Sequence, residues 1–251
     1  VPGPDIRSVE RMPDAVDLHF RAILDAVGPL PPRAKRLRVA LDGCNGAGVF
    51  IAPRLLEALG VDVVPINVTP NGLFPRGAEP IPENLGALCD TVRANRCDIG
   101  FAQDMDADRL AVVSEQGVPI GEDFTLVLAA WYVLSRTPGV VVANLSTTAA
   151  LDEVARRFGC QVVRTKIGEA NVTERMQSDR AVIGGEGNGG VIYPSINFAR
   201  DSQVGMALIL HLLASTGKTV SALMADLPRF VMIKEKLTCP SNRIPDVLRM
   251  V

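Results

Sequence analysis

A chain of 251 residues gives an expectation of roughly two domains, and 47% apolar with 22% charged residues excludes a disordered chain or a fibrous repeat. A formal charge of -2, from 26 basic and 28 acidic residues, supplies no broad positive field for nucleic acid, and the longest unbroken apolar run, 126–134, falls far short of the roughly 20 residues of a membrane span. The five cysteines (Cys44, Cys89, Cys97, Cys160, Cys239) form no CxxC pair, which argues against a zinc site or a disulfide framework and for a reducing, cytoplasmic setting.

Apolar runs of strand length alternate with amphipathic stretches of helix length, the pattern of an α/β fold with parallel strands and crossover helices. A helix is predicted at 13–27, closed by Gly28, then a strand at 37–41, a glycine-rich turn at 42–48 and a helix reaching 59. A strand at 61–66 leads into a loop dense in proline and glycine at 69–82. A helix at 84–95, a strand at 97–102, the acidic run 104–109 and a strand at 110–113 follow. Gly117, Pro119 and Gly121 mark a domain boundary. A second series of similar plan begins there, with helices at 122–134, 149–158 and 170–176 and strands at 140–143, 161–165 and 181–183. It continues with a loop at 184–190 and a long helix at 203–214. Two such units suggest duplicated architecture, each half carrying its own apolar core.

Asp104, Asp106 and Asp108 alternate with uncharged residues directly after a strand. In an extended loop their carboxylates project to one side, and three anions that close repel unless a cation sits between them. Hard oxygen ligands in that number suit Mg2+ or another hard divalent ion, completed by water or a phosphate, the plain alternative being a solvated acidic turn. The place also fits, since ligands of open α/β sheets gather at the carboxyl ends of strands. As a calcium EF-hand the run would use Glu115 at its last position, but Arg109 stands where a glycine is needed and a strand follows. An aspartyl phosphatase loop and an Asp-x-Asp sugar-nucleotide transferase stay open as weaker readings, the first because Asp108 stands where such loops carry Thr or Val.

The turn at Gly43, Gly46 and Gly48 has the wrong order for a dinucleotide fingerprint, and no acid follows the second strand to hold a ribose, so it reads as a tight strand-to-helix turn. The loop 184–190 sets five glycines around Glu186 and Asn188, whose acceptor and donor groups suit a polyhydroxylated ligand if the loop is not simply a mobile hairpin. Lys166, at another strand end, is placed to meet a phosphate or to remain a solvated surface lysine. His19 and His211 fall inside predicted helices and read as packing or surface residues.

The run 104–109 resembles the metal loop D-G-D-x-D-R of the α-D-phosphohexomutases, and 185–190 resembles their sugar-recognition loop, in the expected order. The resemblance extends from about Asp17 through 42–48, 71–75 and 164–169 as far as Lys236. It implies two similar mixed, mostly parallel sheets with helices on both faces. Residues 1–118 are similar to the second of four family domains and 119–236 to the third, while 237–251 form a linker or the start of a fourth. The family's active serine, in a Thr-x-Ser-His-Asn-Pro type loop, and its phosphate-clamping Arg-x-Ser-Gly-Thr loop have no counterpart here. The resemblance therefore implies the central half of a mutase that interconverts hexose or hexosamine 1- and 6-phosphates through a phosphoserine on a missing domain, this half being inactive by itself. Asp104, Asp106 and Asp108 would hold Mg2+, Arg109 would add positive charge as a catalytic group, and Glu186, Asn188 and Lys166 would bind substrate. Met105 replaces the usual glycine, which fits if its side chain faces the domain core. Asn188 and Gly190 stand where many members have Ser and His, so the loop assigns no particular sugar. The rival readings are a non-catalytic sugar-phosphate binding module and a Mg2+-dependent phosphatase. Glu186→Ala is expected to impair binding without affecting folding or metal affinity.

Overall fold

The structure, a computed structural model, describes residues 12–33, 35–77, 79–228, 230 and 238–250. The expected boundary at 236–237 lies outside them.

The chain builds two four-stranded sheets of the same plan. In the first, β1 (Arg38–Asp42), β2 (Asp62–Ile66), β3 (Ile99–Gln103) and β4 (Leu110–Ser114) lie in the order β2-β1-β3-β4; β1 runs parallel to β2 and β3, and β4 is antiparallel to β3. In the second, β5 (Val141–Asn144), β6 (Val162–Thr165), β7 (Ile183–Gly185) and β8 (Val191–Ile192) lie in the order β6-β5-β7-β8, again with only the last strand antiparallel. The connection decides the direction. A parallel return needs a crossover of a dozen or more residues, whereas β3 and β4 are joined by 104–109 and β7 and β8 by 186–190, so each pair closes as a hairpin.

Alternation along the strands sends side chains to two layers. Val39 and Leu41 of β1 face one apolar cluster and Ala40 faces another. On the outer side of the first sheet, α3 (Gly86–Asn95) supplies Leu88 and Val92; on the outer side of the second, α6 (Glu169–Asp179) supplies Val172 and Met176. The inner faces of both sheets share one continuous core, filled by α1 (Ala15–Val27), α2 (Ala52–Ala58), α4 (Asp123–Arg136), α5 (Ala150–Arg157) and α7 (Ser202–Thr216). This corrects the expectation of two separate cores. Helix α7 shows the reason, since it is buried from Ser202 through Ala214 and is apolar around its whole circumference, as a helix enclosed on every side must be.

Two short helices were not predicted, α8 (Val220–Ala225) and α9 (Ile244–Met250). Strand β8 was also missed, because two residues carry no period, and β7 takes in Gly184 and Gly185 from the predicted loop. Among the described residues, no helix is long and apolar enough to cross a membrane.

Candidate functional site: two hairpin loops joined by an arginine

The acidic run is the β3–β4 hairpin loop, at the carboxyl end of β3. Ligand atoms of Asp104, Asp106 and Asp108 all lie within 4.8 Å of one another. Asp104 is 6% exposed, and its loop is fixed from inside: Asp104 Oδ1 accepts the backbone N–H of Arg109 at 3.1 Å. Burial, helped by a hydrogen bond with Asp108 and the charges of Asp108 and Asp106, pushes the Asp104 carboxyl up to about 7. Asp108 Oδ1 is buried and accepts no hydrogen bond. Anions driven together with one carboxylate oxygen unsatisfied are the donor set of a hard divalent cation, and Mg2+ fits it. Arg109 Nε stands 3.7 Å from Asp104 and 3.6 Å from Asp108, and its guanidinium also meets Glu79 at 3.5 Å.

The loop is braced by the glycine-rich turn. Ala47 N–H donates to the Met105 carbonyl at 2.8 Å, and a Cβ on Gly46 would come within 2.3 Å of that same oxygen, so only glycine permits the approach. Met105 does not face the core: it is 36% exposed, because this backbone contact turns the loop's inner side toward the turn and leaves the side chain outward. Asp42, buried at the end of β1, holds Arg76 at 2.7 Å, and Arg76 also donates to the Gln103 carbonyl, which ties the proline-rich loop to the strand end that carries the acids.

The glycine-rich stretch around Glu186 is the corresponding hairpin loop of the second sheet, and it is packed rather than loose. Its Gly189 carbonyl accepts the Leu110 N–H at 3.1 Å, and a Cβ on Gly189, at φ +91°, would stand 2.4 Å from the Leu110 oxygen. The glycines therefore admit neighbouring protein backbone. Glu186 is 3% exposed and accepts three hydrogen bonds, from Asn144 Nδ2 at 2.8 Å, Gly168 N–H at 3.1 Å and Arg200 Nη1 at 2.8 Å. Asn188 is half-buried, and its side-chain oxygen accepts the Gly190 N–H at 3.2 Å. Lys166 is exposed after β6 and lines a separate depression of about 360 Å³ with Arg164, Asn171 and Arg175; neither hairpin loop contributes to it.

Sequence reasoning missed the residue that joins the loops. Arg200, directly before α7, donates to both Asp108 and Glu186, and its Nε lies 3.4 Å from Glu169. Only its neighbour carried a signal, since Asp201 before an apolar helix is an N-cap and accepts the N–H groups of Gln203 and Val204. Asp201 also meets His19 at 2.8 Å. These residues border a cavity of about 260 Å³ that Asp106 and Arg200 line as well. His211, buried, hydrogen-bonds Tyr132 and the Gly28 carbonyl, in keeping with a packing role.

Residues 19–117 match the family model described as phosphoglucomutase/phosphomannomutase, alpha/beta/alpha domain II, and residues 121–230 match alpha/beta/alpha domain III. A Methanopyrus kandleri protein named "Probable phosphoglucosamine mutase" is 37% identical over 239 residues, which cover 94% of this chain and 52% of that protein. A Thermococcus kodakarensis phosphoglucomutase/phosphomannomutase is 38% identical over 235 residues, covering 93% and 52%. The chain thus spans about half the length of the curated relatives it matches. A crystal structure of a phosphoglucomutase/phosphomannomutase family protein from Burkholderia thailandensis superposes with a TM-score of 0.76 at 31% identity, over 86% of this chain and 47% of that one. At 17% identity and a TM-score of 0.58, over 85% and 48%, the Aspergillus fumigatus N-acetylphosphoglucosamine mutase, solved with GlcNAc-6P and magnesium, shares the fold. With two matched domains and two sheets of one plan, the chain belongs to the phosphoglucomutase/phosphomannomutase family of hexose-phosphate mutases.

Proposed function

We propose that the chain is the metal- and sugar-binding half of a mutase that moves a phosphoryl group between the 1- and 6-positions of a hexose or hexosamine phosphate. The observation that carries this reading is the meeting of two hairpin loops, one bearing three convergent carboxylates and the other a buried Glu186, through Arg200. Phosphoryl transfer is governed by positioning and charge neutralisation more than by covalent chemistry on the protein. Asp104, Asp106 and Asp108 would hold Mg2+, which supplies Lewis-acid neutralisation of phosphate charge. Arg109 adds a guanidinium at the rim of the acids, where it is only partly covered and can turn toward a phosphate oxygen. Asn188 offers a donor to the sugar and Lys166, from the depression after β6, a donor to its distal phosphate, while Glu186, buried and held by three donors, keeps the loop in shape and has Oε2, which takes only Arg200, as the oxygen left to meet a hydroxyl.

The nucleophile is a phosphoserine carried by a segment of the same polypeptide outside this chain. A phosphate clamp from a further segment completes the cleft, and the setting is cytoplasmic. The relatives' names lean toward a hexosamine phosphate as substrate. Calorimetric titration of glucosamine 6-phosphate into the chain with Mg2+ present tests this. Binding should weaken at least about tenfold in Lys166→Ala; unchanged affinity removes Lys166 from the site, and no binding by the wild-type chain removes the sugar-phosphate reading.

A further inference from the structure

We infer that Arg200 is a positioning residue that couples the metal loop to the sugar loop, so that whatever engages Glu186 changes how firmly Asp104, Asp106 and Asp108 hold a divalent cation. The inference rests on the mutase reading for the identity of the two loops.

Arg200 is anchored by its backbone, whose N–H donates to Glu169 Oε1 at 2.8 Å. The guanidinium, 14% exposed, then serves three carboxylates: Nε lies 3.4 Å from Glu169, Nη1 donates to Glu186 at 2.8 Å and Nη2 donates to Asp108. Its planar fork can address separate acceptors at once, which an ammonium cannot. One oxygen of Asp108 is thereby occupied by a fixed cation while the other, also buried, accepts no hydrogen bond. A divalent cation at the acids must share Asp108 with Arg200, and the two positive charges repel. Glu186 draws the same guanidinium the other way. When the Glu186 charge is removed or its lone pairs are taken by ligand hydroxyls, Arg200 leans harder on Asp108 and the cation is held less tightly. By reciprocity, a bound cation that displaces Arg200 from Asp108 strengthens its hold on Glu186.

The test is a double-mutant cycle read by Mn2+ binding to the purified chain, followed by the loss of the free-ion electron paramagnetic resonance signal. Glu186→Gln should weaken Mn2+ binding by about fivefold or more in the wild-type background, and by less than about twofold in Arg200→Met. Arg200→Met alone should tighten it. Should Arg200→Met fail to fold, Arg200→Lys keeps the buried charge balanced while its single ammonium cannot bridge both carboxylates, and the same collapse of the Glu186 effect is expected. Equal weakening by Glu186→Gln in both backgrounds would mean simple charge acting through space and would overturn the coupling while leaving the mutase reading intact. If the wild-type chain binds no more Mn2+ than Asp108→Asn, the metal reading fails and the coupling with it.

Discussion

Asp108 and Glu186 stand on equivalent hairpin loops of the two sheets and share the guanidinium of Arg200. This relationship changes what a substitution at Glu186 does. Its carboxylate is nearly inaccessible and answers three donors, so Glu186→Ala leaves Asn144 Nδ2, the Gly168 N–H and Arg200 Nη1 without that acceptor, while Arg200 keeps Asp108. Breaking a buried charged pair on one side costs about 3–5 kcal/mol. The expectation that Glu186→Ala spares folding is therefore corrected, and a denaturant melt of the variant should show a loss of that order. An unchanged midpoint would mean that the three bonds contribute nothing net.

Asp106 behaves differently, because it is the exposed member of the acidic trio. Asp106→Asn should leave the melting temperature within about 2 °C of wild type, since surface changes of this kind stay within about 0.5 kcal/mol, while Mg2+ affinity falls about tenfold or more. Isothermal titration with Mg2+ checks it, and equal affinity would remove Asp106 from the metal site.

Gly189 tests why the second loop is glycine-rich. A methyl group there meets the Leu110 carbonyl at 2.4 Å in a left-handed backbone, and Gly189→Ala should cost roughly 2 kcal/mol or more. Gly72→Ala, also at positive φ but with nothing within 4 Å, should cost less. Chemical denaturation of the two variants side by side gives the comparison, and equal losses would show that backbone crowding at Leu110 is not the reason.

The His19–Asp201 pair carries a pH signature. The hydrogen bond to the Asp201 carboxylate raises the His19 imidazole above its ordinary value, with burial opposing. The folded state therefore binds this proton more tightly than the unfolded chain, whose histidine titrates near 6.5. The stabilisation is full below that unfolded value and is lost as pH rises through the folded one. His19→Gln should lower the melting temperature at about pH 5, where the imidazolium is present in both states, and the gap should narrow as pH rises through the folded value. A gap that widens with pH would reverse the assigned sign.

Most of the fold was legible because its signals are local: periodicity gave the main strands and the long helices, and the strand-end position of Asp104, Asp106 and Asp108 marked the acidic hairpin loop in which the three carboxylates converge. Strand β8 and helix α8 are too short to carry a period. The loop around Glu186 showed its glycines but not their partner, since the Leu110 backbone that crowds Gly189 comes from the other sheet. Arg200 had no signal of its own; it matters through three carboxylates distant in sequence, and only the packing of α7 between both sheets brings it to them.

The most direct test of the central claim follows a hexosamine phosphate by phosphorus NMR with a polypeptide that joins this chain to an upstream segment bearing the Thr-x-Ser-His-Asn-Pro loop and a downstream segment bearing the Arg-x-Ser-Gly-Thr loop. With Mg2+ and a trace of the sugar bisphosphate as primer, the 6-phosphate resonance should give way in part to the 1-phosphate resonance. Conversion should cease on chelation and in Asp106→Asn, and the isolated 251-residue chain should show none. Release of inorganic phosphate in place of the isomer, or binding with no chemistry at all, would contradict the account in favour of a phosphatase or a binding module.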